Sequence, residues 1–145
     1  MVGDFGPAAA GVASAAQPSG QVEPCRAVAF RLLLDVDPIE ILLYVRGRST
    51  PFSDWLASLK DSRTVAIVRA RLNRIRLGNF GDCKSIGGGV EELRIDFGPG
   101  YRVYYGRDES LAVILLCGGG KGTQARDIPR ARQYWKEYLD AKTDS

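Results

Sequence analysis

From Ile39 onward the apolar positions fall into alternating and helical rhythms that divide the chain into elements. IEILLYV (39–45) is rich in β-branched and aromatic residues and predicts a strand. Ser49 or Thr50 followed by Pro51 is a helix start, because a side-chain oxygen can meet free N–H groups and proline fits the first turn. The helix that follows sets Trp55, Leu56 and Leu59 on one side. Asp61 or Ser62 can cap a second helix that runs to Leu77 and stops at Gly78. Its apolar residues Val65, Val68, Leu72 and Ile75 are spaced 3, 4 and 3 apart, which is one helical face. Arg69 and Arg76 flank that face, and Arg63, Arg71 and Arg74 fall further round toward solvent.

The segment GNFGDCKSIGGG (78–89) reads as a glycine-rich loop. EELRIDF (91–97) and YRVYYG (101–106) alternate and are joined by Gly98-Pro99-Gly100, a hairpin signal. Pairing Phe97 with Tyr101 puts Ile95 opposite Val103 and Leu93 opposite Tyr105 on one side. On the other side, Arg94 then faces Tyr104 and Asp96 faces Arg102, and this side is expected to meet solvent. LAVILLC (111–117) is uniformly apolar, as a central strand is. After Gly118-Gly119-Gly120-Lys121-Gly122 a last helix is expected over about 127–140, with Ile128, Ala131, Trp135 and Tyr138 on one face. The order β-α-α-β-β-β-α predicts an α+β domain: a mainly antiparallel sheet packed against two N-terminal helices and a C-terminal helix.

Residues 1–38 follow no such rhythm. Small residues, glycine and proline fill 1–24, which predicts a disordered tail, whereas AVAFRLLLDV (27–36) suits a short strand or helix. The domain proper is therefore placed at 39–145 and the rest read as an extension, or as an upstream translation start. Two of the 20 basic and four of the 17 acidic residues precede Ile39, which leaves the domain a net +5. A positive excess on a small domain favours a polyanionic partner.

Chemistry is narrowed by what the composition lacks. Histidine is absent, so proton transfer falls to Tyr, Lys, Arg, Asp, Glu or water. Cys25, Cys83 and Cys117 are three, scattered, and without metal-ligand spacing, which suits a reducing cytoplasm better than a disulfide framework. No cofactor or metal is expected. No stretch has the apolar length of a membrane span, and Asp4 is the first charge where a signal peptide would be basic.

Three constellations are candidates for function. Arg94, Arg102 and Tyr104 share one face of the hairpin, where two guanidinium forks and a phenol suit an RNA phosphate. The plainer alternative is a solvated sheet face with Arg102 paired to Asp96. The GGGKG turn can form an anion-binding nest under Lys121, or be a flexible turn whose glycines adopt positive φ. Arg63, Arg71 and Arg74, with Lys84 in the following loop, can track a nucleic-acid backbone or simply solvate a helix.

The run LGNFGDCKSIGGGVEELRIDFGPGYRVYY, followed by ILLCGGGKGTQARDIPRA, resembles the phage-derived addiction-module killer-protein branch of the RelE/ParE toxin superfamily. The shared pieces are a helical pair ending in LGN, the ELRI strand, the GPGYRVYY hairpin, and LLCGG-K-TQ-DI leading to a final helix. The resemblance spans roughly 39–138. It implies the toxin of a type II toxin–antitoxin module, neutralised by a cognate antitoxin that is itself a helix-turn-helix DNA-binding protein. It also implies a metal-independent, ribosome-dependent mRNA endoribonuclease (an mRNA interferase), with a ParE-like inhibitor of DNA gyrase, or an inactive toxin-fold binding module, as the alternatives. Arg102 then takes the place of a catalytic arginine. Arg94 matches a basic position on the preceding strand and Lys121 the lysine after the glycine turn, while Arg71, Arg74, Lys84 and Tyr104 are candidates for RNA contact. Gly122 stands where some family nucleases carry a further basic residue, and Ile128 where they carry a tyrosine.

Overall fold

The structure, a computed structural model, describes residues 38–109 and 112–144. The expectations for 1–24 and 27–36 therefore lie outside the described residues. Pro38–Ser145 form one unit. It is an α+β domain in which a five-stranded mixed sheet lies between helices on both faces.

The elements are β1 (Glu40–Leu43), α1 (Pro51–Ser58), α2 (Ser62–Arg76), β2 (Cys83–Gly87), β3 (Val90–Ile95), β4 (Tyr101–Asp108), β5 (Ala112–Gly120), a 3₁₀ turn (Lys121–Thr123) and α3 (Gln124–Thr143). The sheet order is β1-β5-β4-β3-β2, so β4 is the middle strand. Only β1, which pairs with β5, is parallel to its neighbour.

Local chemistry accounts for most of these boundaries. Asp61 caps α2, accepting from the Arg63 N–H at 3.0 Å. Gly78, at φ +91, ends that helical segment because only glycine takes this backbone angle without strain. Helix α1 opens at Pro51, but neither predicted cap acts as one: Thr50 makes no side-chain cap bond, and Ser49 donates to Asp54 at 2.9 Å. Helix α3 is longer than the apolar rhythm predicts, because the TQA segment already turns helically.

Two further differences concern the hairpin. The predicted loop 78–89 contains β2, an edge strand whose CKSIG sequence has no alternation to reveal it. The β3–β4 register also differs by two residues: Ile95 pairs with Tyr101, Leu93 with Val103, Arg94 with Arg102 and Glu92 with Tyr104. The turn is longer than Gly98-Pro99-Gly100 alone suggested, and Gly100 N–H closes it on the Phe97 carbonyl at 3.0 Å. A shift of two leaves every side chain on its predicted side of the sheet but gives it a new partner.

Each sheet face carries its own core. On one, α1 and α2 cover Leu93, Ile95, Val103, Tyr105, Val113 and Leu115 with Phe52, Val68 and Ile75. On the other, α3 lays Ala131 and Trp135 over Val90, Tyr104, Ala112, Ile114, Leu116 and Cys117. The side of the hairpin expected to meet solvent is thus the one beneath α3. Complete burial of side chains of this size contributes about 1.5–3 kcal/mol each. Tyr138 donates to Asp108 at 2.7 Å and Tyr44 to Glu137 at 2.6 Å, which pins the C-terminal half of α3 to the end of β4 and to the segment after β1.

Glycine makes the close approach of α3 possible. A methyl group on Gly106 would run into the Trp135 ring, whereas one on Gly122 would meet nothing within 4 Å. Gly106→Ala is therefore expected to destabilise the domain by about 1–3 kcal/mol, as overpacked cores do, and Gly122→Ala to leave it within about 0.5 kcal/mol of wild type. Denaturant unfolding of both variants checks this. Equal midpoints would mean that Trp135 is not packed on Gly106.

Candidate functional site

The sheet lines up charged residues across three strands. Arg94 on β3 pairs in register with Arg102 on β4, which pairs with Gly119 on β5. Tyr101 pairs with Gly120, so Lys121 leaves β5 beside the same end of β4. Lys121 N–H is bonded to the Gly100 carbonyl at 3.1 Å, which ties the GK turn to the hairpin turn. A methyl group on Gly100, whose φ is +93, would stand 3.4 Å from Lys121 Cβ and 3.8 Å from Arg102 Nη1. Arg102, Lys121 and Arg94 are thus gathered at one corner of the sheet.

Two like charges directly opposite each other destabilise a sheet unless they are compensated. Each arginine here has its own carboxylate. Asp82, in the loop before β2, takes Arg94 Nη2 at 2.7 Å and Nε at 3.1 Å on a single oxygen. Those bonds, first among the causes, hold the Asp82 carboxyl below its usual range, and Arg71 and Arg102 add to the effect. Arg102 faces Glu92, with Nε 3.9 Å from Oε1. The expected Asp96–Arg102 pair does not form, because the register sets Arg94 opposite Arg102 and leaves Asp96 exposed beyond the end of β3.

Glu92 is wholly buried, and only 11% of the Arg102 side chain is exposed. Both donors that reach Glu92 bind Oε2: Tyr104 hydroxyl at 3.1 Å and Gln124 Nε2 at 2.6 Å. Oε1 and Arg102 Nε have no hydrogen-bond partner among the described residues. Arg102 Nη1 donates to the Tyr101 carbonyl at 3.0 Å.

The other residues expected to contact RNA have diverse settings. Lys84 is exposed on β2 and Arg74 is exposed on α2. Arg71 is not on the solvent side of its helix. It is half-buried and donates through Nη1 to the Arg94 carbonyl at 2.9 Å, which braces β3 from the other face. Tyr104 is fully buried, so its ring offers no face to a base. Burial, then the Glu92 carboxylate, holds its hydroxyl far above the ordinary phenol range, so it stays protonated and serves as a donor.

The GGG run is neither a nest nor a flexible turn. Gly118, Gly119 and Gly120 belong to strand β5, and none has positive φ. Their missing side chains make room: a methyl group on Gly118 would collide with Trp55, and one on Gly119 with Asp127. Asp127 is buried and accepts from Thr123 Oγ1, so it helps set the turn carrying Lys121.

Pattern reading missed Glu92, Asp82 and Gln124. Glu92 and Gln124 both lie inside the segments quoted above, in EELRI and KGTQ, where a charged or amide residue on a strand or at a helix start reads as solvent-facing.

By architecture and site this is an α+β domain with a cationic corner supported by one buried carboxylate, Glu92, and one exposed carboxylate, Asp82. The chain is 52% identical over 81 residues to an uncharacterized protein of Haemophilus influenzae, covering 56% of this chain and 82% of that one, and it belongs to the same family. No family model and no solved structure matches it. No described helix is long and apolar enough to cross a membrane.

The Asp82–Arg94 pair has a pH signature. Because the folded Asp82 pKa is lowered, the pair's stabilisation is present above the ordinary carboxylate range and is lost as pH falls through the lowered value. A carboxyl ¹³C titration is expected to show an Asp82 midpoint below that of an ordinary aspartate, and Arg94→Gln to move it upward. An unchanged midpoint in Arg94→Gln would remove Arg94 as the cause.

Proposed function

We propose that this chain is a toxin of the RelE/ParE superfamily, from the addiction-module killer-protein branch. It acts in this reading as a metal-independent endoribonuclease on mRNA held in the ribosome, and a cognate helix-turn-helix antitoxin neutralises it. The observation that carries this is the gathering of Arg102, Lys121 and Arg94 at one corner of a rigid sheet, with the first two flanking Gly100. Further support comes from the order of motifs, since the ELRI strand, the GYR hairpin and the GK turn converge there.

In this mechanism the ribose 2′-hydroxyl loses its proton to solvent as its oxygen attacks the adjacent phosphorus in line, and the bond to the 5′-oxygen breaks as that oxygen takes up a proton from solvent. A 2′,3′-cyclic phosphate and a 5′-hydroxyl result. Negative charge grows on the non-bridging oxygens as the new bond forms. Fixed cationic donors stabilise that charge without reorganising, which is where such a site gains most of its rate. Arg102 supplies a planar fork from a strand with little freedom, Lys121 a mobile point charge, and Arg94 a contact shared with Asp82.

A second reading, inhibition of DNA gyrase by binding alone, draws on one feature. The tyrosine hydroxyl closest to Glu92 is buried and committed to that carboxylate, so it does not serve as a base.

Cleavage of ribosome-bound mRNA decides between them. Wild-type protein is expected to cut, and Lys121→Ala and Arg102→Lys each to slow cutting by about a hundredfold or more, the usual loss for one preorganised donor. Lys121 is exposed, so its removal leaves the fold unchanged. Full cleavage by both variants would overturn the assignment of these residues. DNA-damage signalling on induction, with intact mRNA, would favour gyrase.

A further inference from the structure

We propose that Glu92 is a positioning residue for Arg102, and that Tyr104 and Gln124 act through it as a buried relay fixing the guanidinium at the reacting phosphate. The role of Arg102 in this proposal rests on the function put forward above.

A carboxylate with no exposure to water is costly even when paired, and a well-packed apolar residue in its place is often neutral or stabilising. The fold has no need of charge at this spot. Val90 precedes Glu92 on the same face of β3 and packs into the apolar core under α3. Glu92 nevertheless receives donors from two separate elements, β4 and the start of α3. Both bind the same oxygen, which turns the other, Oε1, toward Arg102 Nε.

The arrangement divides the guanidinium by edge. The Nε edge is directed at Glu92 and Nη1 bonds the Tyr101 carbonyl, while Nη2 makes no hydrogen bond among the described residues. An arginine bonded through Nη1 and facing a carboxylate with Nε presents the rest of its fork in one orientation, which bidentate contact with a phosphate requires. Oε1 and Nε are each buried without a hydrogen-bond partner and are 3.9 Å apart, so a displacement of under an ångström joins them. Anion contact at the η nitrogens pulls on the same group. Glu92 therefore sets where Arg102 sits without itself touching the substrate.

The test separates this role from a structural one. The full chain is labelled with ¹⁵N-arginine and the Arg102 Nε–H signal is followed in wild type and in Glu92→Gln. The amide oxygen of Gln can accept from both Tyr104 and Gln124, so this variant is expected to fold, but it turns an NH₂ group toward Arg102. The expected result is a resolved, exchange-protected Nε–H signal in wild type and its loss in Glu92→Gln. In the ribosome assay kcat is expected to fall about tenfold to a hundredfold, the range for a displaced catalytic group, with KM for mRNA unchanged. Tyr104→Phe, which keeps the ring in its buried place, should show both changes to a smaller extent, because Gln124 still donates.

An Arg102 signal equally protected in Glu92→Gln would overturn the proposal. So would a lost signal with unchanged kcat, since position would then not matter to the chemistry. Absence of cleavage by wild type would instead strike at the nuclease assignment, while the Nε–H signal would still decide whether Glu92 holds Arg102.

Discussion

A carboxylate sealed from water has to be met by donors from the protein itself, and at Glu92 these come from distant parts of the chain. Tyr104 reaches it across the β3–β4 ladder, Gln124 from the start of α3, and Arg102 stands beside it on β4. Meeting that one group requires the hairpin register and the seat of the last helix to be correct at the same time. A slip of the register by two residues would set Tyr104 opposite Arg94 and take its hydroxyl away from Glu92. The buried charge thus links secondary-structure pairing to the geometry of the cationic corner.

The rest of the architecture serves the same arrangement. Glycines at 106, 118 and 119 let Trp135, Trp55 and Asp127 come close to the strands, so both layers of helix press on a thin sheet. Arg71 braces the Arg94 carbonyl from the α2 side, while Asp82 holds the Arg94 side chain. Arg102 is the most enclosed cation of the corner and Lys121 the most open, a division that suits one rigid and one adaptable contact to an anion.

Much of this was legible in the sequence. Helical spacing marked α2, with Val68, Leu72 and Ile75 of its predicted stripe in the core and Val65 outside it, and the Ile128, Ala131, Trp135 and Tyr138 stripe marked the buried side of α3. Alternation put Arg94, Arg102 and Tyr104 on one face of the hairpin, and the two-residue shift in register preserved that, because the period of a strand is two. The identity of the face was not legible. Glu92, Arg102 and Tyr104 look like solvent-facing residues, and it is the donors from Tyr104 and Gln124 to Glu92, with Arg102 beside it, that accompany their burial under a helix. Strand β2 was hidden for another reason: an edge strand of five residues between glycines carries no apolar rhythm. The glycine run before Lys121 has the composition of a flexible loop, yet close packing rather than backbone freedom requires small residues there.

In this arrangement Glu92 and Arg102 are energetically one unit. A double-mutant cycle in unfolding free energy measures this directly, using wild type, Glu92→Gln, Arg102→Ala and the double variant. Arg102→Ala alone leaves a buried carboxylate facing no cation, whereas adding Glu92→Gln removes that charge. The double variant is therefore expected to be more stable than the two single losses would sum to, by a coupling of about 0.5–3 kcal/mol. Losses that add to within about 0.3 kcal/mol would contradict the account and leave Glu92 and Arg102 as independent residues that happen to be neighbours.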